Sequence, residues 1–117
     1  MIHIKRAYEP ADSKDGYRIL IDRLWPRGIK KQDLKFDEWS KELSPSPGLR
    51  KSFGHKTENW ARFSKAYRQE LKSKELQPKL QEIASKGKKK TVTLVYGAKD
   101  EIHNHARILK DVLEKAK

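Results

Sequence analysis

The chain has 117 residues, of which 35% are hydrophobic and 38% are charged, and its net charge at pH 7 is +12. This length suits one domain, expected over residues 1–117, and is short for two. The absence of cysteine excludes disulfides, thiol nucleophiles and thiolate metal sites, and no apolar run is long enough to span a membrane. No secretory signal is visible, so we expect a cytoplasmic protein.

The basic excess is concentrated in the second half of the chain. Residues 1–50 hold 11 basic and 8 acidic residues, whereas residues 51–117 hold 17 and 8. The densest run is Lys86-Gly87-Lys88-Lys89-Lys90. Such a run can bind phosphate backbones, but it is more often a solvated loop that keeps a protein soluble.

The first third of the sequence predicts two strands. Residues 2–8 alternate as in a short, half-exposed strand, and Asp15-Gly16 predicts a turn after it. Residues 17–25 form the strongest predicted strand, which Pro26 ends. Apolar residues occupy both of its faces, so we expect both faces to be covered.

Helices are predicted for most of the chain that follows. Residues 33–43 indicate a short helix capped by Asp33 or Asp37, and residues 49–53 one helical turn. Apolar residues from Trp60 to Leu71 recur at spacings of three and four, which predicts a long amphipathic helix.

The last third of the sequence predicts a helix, a strand and a final helix. Pro78 suits the first turn of the first helix, and Gly87 its end. Residues 91–96 predict a second apolar strand, and Asp100 the cap of the last helix. The helical crossover between the two strong strands suits parallel pairing, whereas the first two strands are close enough for a hairpin. We therefore expect an α/β fold: a small single-layer sheet, parallel or mixed, of about three strands packed with four to five helices.

Candidate site residues follow the two strong strands. Asp22 and Arg23 lie at the carboxyl end of the first, and Tyr96 and Lys99 follow the second, where open α/β sheets bind ligands. The helix after Lys99 offers its positive end to an anion. A partly buried Asp22 needs an arginine, a lysine or backbone donors as partners, and an internal pair that fixes the loop is the structural alternative.

Two further residues could serve this site. A neutral His105 near a helix start could act as an acid or base, while a histidine bonded to backbone is the structural alternative. No metal site is expected, because His103 and His105 do not share a helix face. Arg50 follows a proline-rich break and could clamp a phosphate, although serines at such breaks more often cap helices.

The sequence also resembles a known family through several motifs. These are Arg6-Ala7-Tyr8, residues 15–28 (DGYRILIDRLWPRG), Trp39, Leu43-Ser44-Pro45-Ser46, Leu49-Arg50, residues 60–71, residues 96–100 (YGAKD) and Asn104-His105-Ala106. They are similar to the YeaO-like family, grouped under domain of unknown function 488. The resemblance implies a small bacterial or archaeal, cytoplasmic, single-domain protein of a family with no settled activity. It marks as characteristic Asp22, Arg23, Trp25, Arg27, Arg50, Asn104 and His105.

Three hypotheses follow. In the first, the carboxyl ends of the strands bind an anionic, nucleotide-like or phosphate-bearing small molecule and need no cofactor. The ligand-binding residues would be Arg23, Trp25, Arg27, Arg50, Tyr96, Lys99 and Asn104. His105 and Asp22 would be the catalytic pair if the ligand is turned over, with Asp22 orienting an arginine, but no nucleophile beside a base stands out. The alternatives are a nucleic-acid binding module driven by the basic second half and a non-catalytic regulatory or interaction domain. The sequence does not indicate an oligomeric state.

Overall fold

A computed structural model describes residues 1–116 and contains a four-stranded parallel sheet. The strands are β1 (Ile2–Arg6), β2 (Tyr17–Leu20), β3 (Glu38–Trp39) and β4 (Val92–Tyr96), in the order β1-β4-β2-β3. The predicted α/β class is confirmed, with one strand more than expected.

Four α-helices cover one face of this sheet. They are α1 (Pro47–Phe53), α2 (Trp60–Glu70), α3 (Gln77–Lys89) and α4 (His105–Lys115). Each contributes apolar side chains to a core that also includes strand residues such as Leu94. Burial of this apolar side of each helix supplies most of its stability in water. Among residues 1–116, every helix is too short or too polar to span a bilayer.

The hairpin considered for the first two strands does not form. Ile4 of β1 and Ile19 of β2 are both in register with Leu94, so β4 lies between the two strands and pairs with each in parallel. Residues 7–16 are long enough to cross the sheet at this point. Gly16 lies at the end of this connection, just before β2, with a φ of 65° that favours glycine. A side chain at this position would clash with the backbone carbonyl of Thr91.

Both faces of β2 are covered, as its sequence predicts. Ile19 and Ile21 pack beneath the helices, whereas Leu20 faces the opposite side with Val95. That second face is covered by the loop of residues 21–37 instead of by helices. The strand itself ends at Leu20, well before Pro26, because the chain turns away to form this loop.

The prediction of a helix over residues 33–43 is wrong. Glu38–Trp39 pairs with β2 as an edge strand, between the 3-10 turns Lys31–Asp33 and Lys41–Leu43. The indole Nε1–H of Trp39 donates to the carbonyl of Asp22 at 2.7 Å, which fixes the strand across the sheet. Pairing and burial here override the local helical pattern.

The helix predicted to stop at Gly87 continues to Lys89. Gly87 is buried inside α3, and a Cβ at this position would clash with the end of the Ile2 side chain. Glycine here permits close helix–strand packing and does not end the helix. The lysine run therefore forms the end of a helix and its cap, and not a loop.

Candidate functional site

A cleft of about 440 Å³ opens at the carboxyl ends of β2 and β4. Its walls are the loop after β2, the Pro-rich segment with α1, residues 97–98 and the start of α4. Parallel strands bring their carboxyl ends to one edge of the sheet, where the following loops diverge and leave such a space. The two stretches singled out in the sequence therefore meet here.

Asp22 joins the two strand ends. Its Oδ2 accepts the backbone N–H of Gly97 at 2.8 Å, and its Oδ1 lies 3.2 Å from Nε2 of His105. Of the partners expected for Asp22 (an arginine, a lysine or backbone donors), residues 1–116 supply a backbone donor, together with an imidazole. A Cβ on Gly97 would lie 2.8 Å from Oδ2, so the absence of a side chain there permits this contact.

His105 has a defined orientation at the first residue of α4. Its Nε2 lies 3.1 Å from the carbonyl oxygen of Ile21 and 3.2 Å from Asp22 Oδ1. Both neighbours are acceptors, so Nε2 carries a proton. The alignment favours Ile21, which leaves Asp22 Oδ1 buried without a hydrogen bond. Nδ1 of His105 has no partner among residues 1–116 and remains available to the cleft.

Three arginines and one lysine line the cleft: Arg23, Arg27, Arg50 and Lys51. Asp22 is the one carboxylate among the lining residues. Within the described chain none of these four cations forms a salt bridge, and Arg23 makes a single long contact, from Nη2 to the carbonyl of Pro45 at 3.4 Å. The Nε of Arg23 is buried with no hydrogen bond. The cleft therefore carries an excess of positive charge that internal pairing does not neutralise.

The other predicted site residues differ in their positions. Trp25 lines the cleft, but its Nε1–H donates to the carbonyl of Ile29 at 2.6 Å and its ring packs edge-on against Trp39. Tyr96 is 2% exposed in the core, and Lys99 is exposed; neither lines the cleft.

Asn104 is the N-cap of α4, a position that the sequence assigned to Asp100. Its Oδ1 accepts the N–H of Arg107 at 3.1 Å, and its Nδ2 donates to the carbonyl of Asp100 at 2.9 Å. Asn104 lines the cleft but is 2% exposed, so these contacts serve the helix start.

Asp100 instead closes the turn before the helix. Its carboxylate accepts the backbone N–H groups of His103 and Ile102, and Nδ1 of His103 lies 3.0 Å from Oδ2. These backbone hydrogen bonds, with the contact to the His103 ring, lower the pKa of Asp100 to about 2. Asp100 thus stays ionised and holds His103 at the cleft wall.

Sequence reasoning missed two histidines of the cleft. His55 and His103 line it with His105, so three of the four histidines in the chain surround one cavity. His55 has a φ of 56°, which is rare for a residue with a side chain, and follows Gly54, itself at 56°. Gly54 signals the end of a helix, but nothing local indicates that the next side chain faces a cleft.

The hydroxyl groups among the described lining residues of the cleft are engaged by backbone carbonyls. The two hydroxyl groups that line it donate elsewhere: Ser44 to the carbonyl of Lys41 at 2.7 Å, and Tyr8 to the carbonyl of Arg27 at 2.7 Å. Neither is paired with a histidine, as nucleophilic catalysis requires. Over residues 1–116, no cluster of histidines and carboxylates has the geometry to hold a metal ion.

Comparison with known proteins identifies the family. Residues 1–117 match the family model described as "Inactive DUF488-N3 subclade". The chain belongs to this DUF488 subclade. The resemblance seen in the sequence is thereby confirmed. All seven positions that the resemblance marks as characteristic line the cleft.

Relatives of this DUF488 chain include proteins from two bacterial genera. It is 50% identical over 112 residues to "Uncharacterized protein YeaO" of Escherichia coli (strain K12), covering 96% of each chain. It is 32% identical to "Uncharacterized protein Rv3073c" of Mycobacterium tuberculosis (strain ATCC 25618 / H37Rv), covering 96% of this chain and 92% of the relative. No solved structure matches the chain.

Proposed function

We propose that the cleft binds an anionic, phosphate-bearing small molecule of nucleotide-like character. The observation that carries this proposal is the excess of charge: four cationic side chains line the cleft with one carboxylate, and none of the four is in a salt bridge within residues 1–116. Guanidinium groups bind phosphate oxygens in a fixed, two-pronged geometry, which lysine does not offer.

Two buried polar atoms support a ligand with both acceptor and donor groups. Nε of Arg23 is a donor without an acceptor, and Oδ1 of Asp22 is an acceptor without a hydrogen bond. Buried polar atoms without partners are uncommon in native proteins because each costs roughly 1–3 kcal/mol. After a small shift of these side chains toward the cleft, a phosphate oxygen would satisfy the first atom and a ligand hydroxyl or amine the second.

The remaining walls of the cleft suit an apolar or aromatic portion of the ligand. Phe53 and Phe63 stack at 4.4 Å between ring centroids and reach the lining, to which His55 and the rings of Pro26 and Pro45 also contribute. Cavities that bind small molecules combine such apolar surface with a few polar groups, typically in volumes of about 300–1,000 Å³. Nucleotides combine a phosphate, hydroxyls and a flat ring.

We propose binding without turnover. The family is described as inactive, the chain has no cysteine and the lining hydroxyls are engaged elsewhere. His105 would then offer Nδ1 to the ligand as a hydrogen-bonding group. The acid–base role of His105 and Asp22 stays a prediction. Release of phosphate from a bound phosphate ester would support it.

Isothermal titration with four probes tests the proposal: inorganic phosphate, ribose 5-phosphate, AMP and adenosine. We expect AMP to bind most tightly and adenosine, which lacks the anion, most weakly. Arg50→Gln should weaken AMP binding at least tenfold, which corresponds to about 1.4 kcal/mol. Arg62→Gln is the matched control, because Arg62 is an exposed arginine on α2 outside the cleft.

Two outcomes would contradict the proposal. One is no binding of any phosphate compound up to about 10 mM, a concentration at which even weak specific sites fill. The other is an equal loss of affinity in Arg50→Gln and Arg62→Gln, which would indicate that net charge, and not the cleft, attracts the anion.

A further inference from the structure

A second cationic surface lies at the opposite end of the sheet from the cleft. It consists of Lys86, Lys88, Lys89 and Lys90, at the end of α3 and at its cap, and is called the lysine edge below. β4 runs from this edge to the cleft, and its five residues at ~3.3 Å each separate the two surfaces by roughly 17 Å. The lysine edge therefore belongs to neither the cleft nor its ligand.

The charges of the lysine edge are not neutralised within residues 1–116. None of its four lysines forms a salt bridge, and Lys88, Lys89 and Lys90 are exposed. The acidic residues whose charges act on Tyr17 have other partners. Glu38 and Glu82 contact Lys79, and Asp37 accepts the backbone N–H of Arg18.

Two of the ammonium groups are held in place by Tyr17. Nζ of Lys86 lies 3.7 Å from the centroid of the Tyr17 ring, and Nζ of Lys90 lies 5.3 Å from it. Both distances fit cation–π contacts. The Tyr17 hydroxyl donates to Glu38 at 2.9 Å, which fixes the ring. The two cations are thus partly ordered before a partner arrives, which lowers the entropy cost of binding.

Stabilisation of α3 does not account for the whole lysine edge. Lysines in the last turn of a helix interact favourably with its negative end, but the effect is confined to that turn. Lys90 lies beyond the last helical residue with an extended φ of −154°, yet its ammonium group returns to the Tyr17 ring. A surface of closely spaced, exposed cations is suited to a partner with regularly spaced anions.

We propose that the lysine edge binds the phosphate backbone of a nucleic acid without preference for base sequence. Duplex DNA presents one negative charge per ~1.7 Å of its axis, so several lysines can contact phosphates at once. The lysines cover the Tyr17 ring, so it is not open to stack on a base, and backbone contacts alone carry no sequence information.

Fluorescence anisotropy with a labelled duplex of about 20 base pairs, at about 50 and 200 mM NaCl, tests this proposal. The variant Lys88→Gln/Lys89→Gln/Lys90→Gln is compared with Lys30→Gln/Lys31→Gln/Lys35→Gln. The control removes three exposed lysines elsewhere and changes the net charge equally. We expect at least a tenfold loss of affinity at the lower salt in the first and less than threefold in the second.

The salt dependence gives a second readout. Each phosphate contact contributes about 0.9 to the slope of log affinity against log salt, so loss of three contacts should lower that slope by about 2.7. The Lys→Arg version of the first triple variant should retain binding, because charge is preserved. Thermal unfolding of all variants establishes that they are folded.

Four results would overturn the proposal. They are no binding to duplex at about 50 mM salt, equal losses in the two triple variants, preference for one base sequence over a scrambled one, and tighter binding to vesicles rich in phosphatidylserine than to duplex. The last two would assign the lysine edge to base readout or to an anionic membrane surface.

Discussion

Asp22 connects the segment that follows β2 to the segment that follows β4. One of its oxygens accepts the N–H of Gly97 and the other faces His105, so a single carboxylate connects two cleft walls, while the carbonyl of Ile21 orients the imidazole. The sequence places Asp22 at a strand end but cannot reveal its partner, because His105 lies 83 positions away. Distance along the chain, and not residue type, limits prediction here.

The residues at the two strand ends show both what the sequence predicts and what it misses. Arg23 and Arg27 follow a strand that its own alternation reveals, and a family motif supports them. His55 has neither signal: it reaches the cleft because Gly54 ends α1 in the left-handed region and the next residue continues there. Such a position depends on backbone geometry that residue types alone do not specify.

Gly16 is a residue at which a single methyl group should have a large effect. Its φ of 65° is costly for alanine, and a Cβ would clash with the carbonyl of Thr91. We expect Gly16→Ala to lower the free energy of unfolding by more than the roughly 1–3 kcal/mol that such a conformation alone costs. Urea denaturation measures the change.

Gly28→Ala is the control for this prediction. Gly28 has a φ of 84°, but a Cβ there would meet open space, so only the backbone cost applies. Equal losses in the two variants would show that the contact between Gly16 and Thr91 adds nothing to the cost of the positive φ.

The elements differ in how strongly their own sequence specifies them. The apolar run of β4 and the stripe of α2 are long and regular, and both form where predicted. Glu38–Trp39 forms a two-residue strand because β2 offers it an edge, a feature that no local period records. The N-cap of α4 is Asn104 and not the predicted Asp100. Both residue types are good N-caps, so only packing selects between them.

Two carboxyl groups in ion pairs, Asp15 with Lys5 and Arg18, and Glu38 with Lys79, should make stability pH-dependent. Burial raises the pKa of Asp15, but hydrogen bonds from the backbone of Asp12 and from Lys5 and Arg18 outweigh it and lower the pKa overall. For Glu38, burial again raises the pKa, but contacts with Lys79, Ser40 and Tyr17 outweigh it and lower the pKa overall. Both carboxyl groups therefore release their protons more readily in the folded protein than in the unfolded one.

A carboxyl group whose pKa is lower in the folded protein than in the unfolded chain stabilises the folded state when it is ionised. This stabilisation is fully present above the pKa of the unfolded chain, near 4, and is lost as the pH falls through the pKa of the folded protein. The free energy of unfolding should thus be nearly constant from pH 7 to about 5 and decrease below about 4. Asp15→Asn should be less stable at pH 7, and its difference from wild type should shrink as pH falls. Urea titrations at several pH values test this. If the difference in free energy of unfolding between Asp15→Asn and wild type does not change with pH, Asp15 is not a source of the pH dependence.

At the scale of the whole molecule, the dominant feature is charge. A net charge of +12 opposes the compact state through repulsion between like charges. Raising NaCl from about 20 to 300 mM shortens the screening length to below 10 Å, so we expect the free energy of unfolding to increase. Urea denaturation at both concentrations measures it.

A comparison of anions separates general screening from binding in the cleft. If repulsion is the cause, chloride and sulfate at equal ionic strength should stabilise the Arg50→Gln variant and wild type alike. A decrease in stability with added NaCl would instead show that attractive pairs, such as that between Arg68 and Asp111 at 2.8 Å, outweigh the repulsion.

The strand order β1-β4-β2-β3 has a consequence for how the protein is made. The fourth strand in the chain lies between the first two, so β1 has no neighbour to pair with until residues 92–96 exist. During synthesis, the ribosome must therefore release the chain through Tyr96 before β1 can join the sheet. Until then β1 and one edge of β2 keep backbone N–H and C=O groups unpaired, and the nascent chain depends on its helices and its charge to avoid aggregation.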